Sequence, residues 1–316
     1  MGFTFESFDN PGMPSSHSSE RLALGCHLSI GRGLTAAVDE AEALGNDALQ
    51  IFTHSPSVWR MKPIAPERAE AFVAYRASSS VGYLVVHTMY LLNLASPEAG
   101  LRERSTEALI EEVRRARLLG AEAVVTHLGA HVGSGLSSGL RRIVRSLDQV
   151  RGACAKEGDG GPRLLLENTA GSGTTIGSSF DELAEIFDRL GDPDGFGVCL
   201  DSAHAFAAGY DLRTTANVEE TLAALDAAVG LGRLGLIHLN DSKYACGGRR
   251  DRHEHIGLGE IGREGLGALV RRAGALGVPV ILETPKTIDG REDADRMNLA
   301  AVRGLLGPQD DEEDEG

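Results

Sequence analysis

Residues 163–169 read Arg163-Leu164-Leu165-Leu166-Glu167-Asn168-Thr169, three consecutive leucines closed by a carboxylate. An unbroken apolar run leaves no polar face, so the segment is expected to be a strand buried on both sides, as in a parallel sheet. A carboxylate directly after it is costly unless it is paired or bound to a metal. The same design recurs along the chain. Val198-Cys199-Leu200-Asp201 ends on an aspartate, with His204 three residues on. Leu84-Val85-Val86-His87, Val124-Val125-Thr126-His127 and Leu236-Ile237-His238 end on histidine, and Val280-Ile281-Leu282-Glu283 ends on glutamate. Asp251 and His253 lie in the loop beyond His238.

These segments belong to eight apolar runs, at 23–30, 47–53, 83–88, 123–129, 163–169, 197–202, 234–240 and 279–284. Helical patterns lie between them at 34–44, 105–119, 140–155, 180–190, 218–229 and 264–276. Several close on a glycine, Gly45, Gly120, Gly191 or Gly277, as helix C-termini commonly do. Eight strands alternating with helices over about 290 residues predict a single (β/α)8 TIM barrel. The competing doubly wound open sheet needs a phosphate-binding glycine loop after its first strand. Ser29-Ile30-Gly31-Arg32-Gly33-Leu34 has glycines but not the dinucleotide spacing. The barrel is expected to occupy residues 21–306. Residues 1–20 are polar and aperiodic, and 307–316 are strongly acidic, so both are expected to be disordered tails.

Composition excludes several classes. The 316 residues carry 46 acidic and 31 basic side chains, a net charge of −15, which argues against a bulk electrostatic binder of polyanions. Six of the acidic charges sit at 310–315; without them the balance is −15 + 6 = −9. No apolar run approaches the roughly 20 residues of a membrane span. The N-terminus has no apolar h-region of a signal peptide. Cys26, Cys154, Cys199 and Cys246 are scattered without a CxxC pair, as expected of reduced thiols in a cytoplasmic protein.

In a barrel the C-terminal strand ends converge on one mouth, where active sites of this architecture sit. His87, His127, Glu167, Asp201, His204, His238, Asp251, His253 and Glu283 would then meet. Five imidazoles and four carboxylates without a thiolate suit Zn, Mn or Fe(II) better than Mg or Ca. Nine donors exceed what one ion uses, so two or three ions with a bridging carboxylate are expected. Three divalent ions, four carboxylates and one bridging hydroxide sum to about +1, a site that attracts a phosphodiester even on an acidic protein.

The motifs resemble those of endonuclease IV, the zinc-dependent apurinic/apyrimidinic (AP) endonuclease family of base excision repair, over roughly residues 22–305. The segments that carry the resemblance are Leu166-Glu167-Asn168-Thr169-Ala170-Gly171, Cys199-Leu200-Asp201-Ser202-Ala203-His204 continuing to Asp211, and His238-Leu239-Asn240-Asp241-Ser242-Lys243. Asp251-Arg252-His253-Glu254-His255-Ile256-Gly257 and Leu282-Glu283-Thr284 complete the set. The resemblance implies three Zn2+ ions per chain, with Mn2+ or Fe2+ as possible substitutes. Glu167 would bridge the first two ions. His87 and His127 would complete the first, and Asp201, His238 and Glu283 the second. His204, Asp251 and His253 would hold the third. The implied reaction is hydrolysis of the phosphodiester 5′ to an abasic site in double-stranded DNA, leaving a 3′-hydroxyl and a 5′-deoxyribose phosphate. The resemblance implies Glu167 and Glu283 as the catalytic carboxylates, with Glu283 as the assisting base. Removal of blocking groups from 3′ ends would follow from the same chemistry. A monomer without membrane association is implied.

DNA contacts are expected at Tyr90, which matches the family residue that inserts at the lesion, and at the phosphate-contact candidates Arg249, Arg250 and Arg252. Ser57 stands where well-known members carry an inserting arginine. Trp59 is expected to pack in its loop. His27, His131 and His255 are expected to be structural or to orient ligands, and His17 and His54 are given no role.

Two other functions share parts of this pattern. A single-metal sugar isomerase or epimerase on a related barrel would use Glu167, Asp201, His238 and Glu283, but has no need of His87, His127, His204, Asp251 and His253. A lesion-binding protein without catalysis would not need an intact donor set.

Overall fold

Residues 22–158, 160–191, 194–288, 290–291 and 293–307 are described by a computed structural model. The expected N-terminal tail and all of the acidic tail beyond Gly307 lie outside them, as does His17. Among the described residues, β1 (Leu24–His27), β2 (Ala48–Ile51), β3 (Tyr83–His87), β4 (Ala123–Thr126), β5 (Arg163–Glu167), β6 (Phe196–Asp201), β7 (Leu234–His238) and β10 (Val280–Leu282) close a parallel barrel. Helices α1 (Leu34–Ala43), α2 (Pro66–Ala77), α3 (Ala99–Leu118), α4 (Leu136–Cys154), α5 (Phe180–Leu190), α7 (Thr215–Val229), α8 (Gly262–Leu276) and α9 (Ala294–Leu306) follow the strands in turn. A short helix, α6 (Ser202–Ala208), and a two-stranded hairpin of β8 (Asp241–Ser242) and β9 (His253–Glu254) are added at the C-terminal side. The eight strand runs and the barrel expected from the sequence are those observed. No described helix is long and apolar enough to cross a membrane.

The helix ends follow the local chemistry. Gly45, Gly120, Gly191 and Gly277 all have positive φ, which glycine adopts without steric cost. Ser179 caps α5 by accepting from Glu182 N, while Glu182 Oε2 takes the N–H groups of Gly177 and Ser178. Three helices escape the sequence reading. Every residue of α6 from Ser202 to Ala207 is buried, so it has no amphipathic stripe to detect. The buried faces of α2 and α9 are narrow, Ala69 and Phe72 in one, and Ala294, Asn298, Leu299 and Val302 in the other.

Side chains alternate across each strand, and the alternation sorts the core in two. Leu24, Leu49, Leu84, Val86, Leu164, Leu166, Val198 and Leu200 face the helices in the main cluster. Ala48, Val85, Ala123, Val125, Leu165, Cys199, Leu236 and Ile281 form a separate plug inside the barrel. Gly25 belongs to this interior on β1, where an added Cβ would lie 1.7 Å from Ala48 O, so only glycine permits the close approach of β1 and β2. The next inward position lies two residues further along each strand. Those positions are His27, Gln50, His87, His127, Glu167, Asp201, His238 and Glu283. Each barrel strand therefore supplies one polar group to a layer directly above the apolar plug.

Candidate metal centre

Glu167 is the hub of that layer. It is fully buried, with His238 Nδ1 3.0 Å from Oε1, His204 Nδ1 3.4 Å from Oε1, and His87 Nε2 and His127 Nε2 each 3.3 Å from Oε2. Three groups made only of imidazole and carboxylate donors, each within 4.8 Å of one another, result: His87, His127 and Glu167; Glu167, Asp201, His238 and Glu283; and Asp201, His204 and His253. Asp251 borders the last group, 3.2 Å from His204 Nε2 and 3.7 Å from His253 Nε2. The nine residues singled out by the sequence thus meet in one place. Cys199 Sγ also approaches Glu167 and His238 from the plug below, but burial pushes its thiol up to about 12, so it stays protonated.

Neighbours hold these groups in position. Asp201 caps α6 through Oδ1, which accepts from His204 N at 2.7 Å, and so pins the backbone of His204. Its Oδ2 accepts from Asn240 Nδ2 at 2.7 Å, and its own N–H donates to Asn168 Oδ1 at 2.7 Å. Asn240 Oδ1 also accepts from Glu283 N at 2.8 Å. The loop beyond His253 is tied to Asp241, whose carboxylate accepts from the N–H groups of Gly257, Gly259 and Ile261.

The imidazole orientations specify what the site can hold. His87 Nδ1 donates to Thr88 O at 2.8 Å, His204 Nδ1 to Asn168 O at 3.0 Å, and His253 Nδ1 to Glu283 O at 3.1 Å. His238 Nε2 donates to Gln50 Oε1 at 2.8 Å. In the neutral imidazole each remaining nitrogen then presents a lone pair toward a carboxylate, an arrangement that requires a proton or a metal cation between them. His253 Nε2 is buried with no hydrogen-bond partner at all. Without a cation, protons fill the role. Burial alone lowers His204 and His238, but the carboxylate of Asp201 beside the first, and those of Glu283 and Glu167 beside the second, hold them well above the usual range. Burial raises Glu167, yet His127 and His238 hold it well below the usual carboxylate range. Metal binding at these nitrogens releases protons and tightens as pH rises. The donor set fits divalent metal ions.

One residue of this layer, Gln50, was not recognised in the sequence. It is fully buried and donates from Nε2 to Glu283 Oε1 at 2.6 Å, while Nε2 also lies 2.9 Å from His27 Nδ1. His27 therefore sits beside the donors. His255 is structural: its Nδ1 accepts from Asn298 Nδ2, which joins the hairpin to α9. His131 Nδ1 accepts from Gly135 N and shapes its own loop. Trp59 packs against the core beneath the guanidinium of Arg104, 4.3 Å from the ring centroid.

The expected DNA-contact residues lie around the mouth. Tyr90 is 63% exposed and meets Phe52 edge-on at 5.2 Å. Its backbone N–H donates to Pro56 O. Arg249, Arg250 and Arg252 line a cleft of about 350 Å³ with Ser172, Tyr244 and Asp251. Arg250 stacks 4.8 Å over Tyr244.

His54, given no role from the sequence, belongs to a buried polar cluster under the β2 loop. Thr53 Oγ1 donates to Glu112 Oε2 at 2.8 Å, Arg115 Nη2 donates to Thr53 O at 2.7 Å, and His54 Nδ1 lies 3.4 Å from Glu112 Oε1. Burial pushes the Glu112 carboxyl up to about 7 from 4.5, against the hydrogen bond from Thr53 and the charge of Arg115. Folding therefore favours its protonated form. That stabilisation is complete below about pH 4.5 and is lost as pH rises through 7, on the order of 3 kcal/mol in all. Urea melts at pH 5, 6.5 and 8 check this. Glu112→Gln, which stays neutral, is expected to decline less between pH 5 and 8 than the native chain, and an identical decline in both contradicts it.

The xylose isomerase-like TIM barrel family model matches residues 38–303. The probable endonuclease 4 of Methanoculleus marisnigri is 43% identical over 286 residues, 90% of this chain and 99% of that protein. The probable endonuclease 4 of Halothermothrix orenii is 42% identical over 278 residues, covering 88% and 99% of the two chains. Among solved structures, endonuclease IV from Thermus thermophilus superposes with a TM-score of 0.77 at 38% identity, over 90% of this chain and 98% of that one.

Proposed function

The chain belongs to the endonuclease IV family, within the xylose isomerase-like TIM barrels, and on that premise we propose that it is an AP endonuclease of DNA repair. It would hydrolyse the phosphodiester 5′ to an abasic site in duplex DNA, leaving a 3′-hydroxyl and a 5′-deoxyribose phosphate. The same chemistry would clear blocked 3′ ends. The observation that carries the proposal is the set of imidazole nitrogens, each aimed at a carboxylate across a gap that calls for a cation.

Three Zn2+ ions are the proposed complement, Mn2+ or Fe2+ being substitutes. Glu167 would bridge the first pair, with His87 and His127 on one side and Asp201, His238 and Glu283 on the other. His204, Asp251 and His253 would hold the third. Such ions act as Lewis acids toward a phosphodiester and bring the ionisation of water toward neutral pH. The chain's own residues do the rest. Gln50 holds Glu283 Oε1 and so orients this carboxylate, which would assist as the base. Tyr90, exposed on the rim, would fill the gap left by the missing base. The guanidinium groups of Arg249, Arg250 and Arg252 would hold the phosphates on either side. All nine donors come from one chain, which supports a monomeric enzyme, and the four free cysteines support a cytoplasmic setting.

A single-metal isomerase or epimerase would use only the Glu167, Asp201, His238 and Glu283 group. Metal content of the purified protein separates the two. About three ions per chain are expected, with strand incision lost on chelation and restored by Zn2+. One ion per chain would favour the isomerase.

A further inference from the structure

Among the described residues, only Val132 (φ 48°) and Arg249 (φ 51°) adopt positive φ without being glycine. A β-branched residue in this region is a genuine steric outlier. Both stand on the rim of the mouth, Val132 five residues past His127 and Arg249 two residues before Asp251. Both are braced by the loop at 170–177 that follows Glu167. Thr174 Oγ1 accepts from Val132 N at 3.1 Å and Thr174 O from His131 N at 3.0 Å, while Ser172 Oγ donates to Arg249 O at 2.7 Å. On its other side the Val132 loop is joined to that of Tyr90, since Asn93 Oδ1 accepts from Ala130 N at 3.0 Å.

Val132 is 62% exposed, so internal packing does not account for the strain. Glycine or asparagine would take this backbone more readily, and either would be better suited to water. Strain of this kind persists where the surroundings over-determine it, typically at ligand-contacting positions. Its loop is tied through Asn93 to that of Tyr90 and through the 170–177 loop to the arginine cleft, so a bound duplex is what an outward apolar group there would meet.

We propose that Val132 is a DNA-contacting residue, an apolar wedge packing against the deoxyribose edges and base stack beside the lesion, with the loop at 170–177 setting its register against the phosphate contact of Arg249. Apolar side chains play this part at minor-groove surfaces. The proposal rests on the AP endonuclease reading above and adds a residue to its substrate-binding surface.

Val132→Gly and Val132→Asn both suit the backbone and remove the wedge. Each is expected to raise KM for an abasic duplex about tenfold, the loss expected from no longer burying most of a valine side chain, with kcat changed less than twofold. Tm should equal or exceed that of the native chain. The native protein is the control for the function itself: if it does not incise the duplex, the endonuclease reading fails. If it does and both variants keep its KM, the wedge is wrong. A KM increase confined to a variant with lowered Tm would also overturn it.

Discussion

Glu167→Gln is expected to abolish incision of an abasic duplex while leaving the chain folded. The substitution keeps the shape and removes one negative charge from the centre of four imidazoles, His87, His127, His204 and His238, all within 3.4 Å. An amide has one oxygen to offer and cannot bridge two cations. Its NH2 group would instead donate to an imidazole lone pair and so occupy a position that a metal would take. Loss of a residue that merely orients a ligand costs about 10–100-fold in metal affinity or activity. Removing the bridge itself should exceed that, with a fall in bound metal of at least one ion per chain. Activity and metal content are to be measured on the same sample, with thermal unfolding as the folding control. Full activity in this variant would show that Glu167 does not bridge.

Gln50→Leu should have the next largest effect, although Gln50 would touch neither metal nor DNA. Its amide fixes His238 by accepting from Nε2 and fixes Glu283 by donating to Oε1. Leucine fills a similar volume but leaves both groups unpaired in a buried site, at about 1–3 kcal/mol each. His238 is then free to rotate or change tautomer, and metal affinity or kcat should fall about 10–100-fold. Gln50→Glu separates the two contacts, because it can still accept from His238 but cannot donate to Glu283. Both variants should lose activity, Gln50→Glu through repulsion between adjacent carboxylates. Native metal content and native kcat in Gln50→Leu would contradict the positioning role.

The barrel and six of its nine candidate donors, His87, His127, Glu167, Asp201, His238 and Glu283, were legible in the sequence for one physical reason. An ionisable group after three or four apolar residues cannot be indifferent, so each strand end announces itself. Gln50 did not, because a neutral amide within Ala48-Leu49-Gln50-Ile51 reads as an ordinary polar residue in a strand. Alignment of the strands by their inward positions would have found it, since it falls in the same layer as Glu167 and His238. Three other features depend on information that a single sequence does not display. The strain at Val132 is a backbone angle. The Thr53, Glu112 and Arg115 cluster joins segments some sixty residues apart. The β8–β9 hairpin that carries His253 is only two residues long on each side and has no periodicity to detect.

The acidic balance of the chain, −15 overall, is compatible with DNA as substrate because the proposed contacts are local. Arg249, Arg250 and Arg252 sit beside a cluster that divalent ions would make cationic. Affinity for undamaged duplex should accordingly be low and strongly dependent on salt.

The most direct test is incision of a duplex carrying one abasic site at a known position, with the ends of the products identified. The account predicts a single cut on the 5′ side of the lesion, a 3′-hydroxyl on one fragment and a 5′-deoxyribose phosphate on the other, and no cut after chelation. Intact DNA after incubation with metal-replete protein, or a cut on the 3′ side that leaves an unsaturated sugar aldehyde, would contradict it.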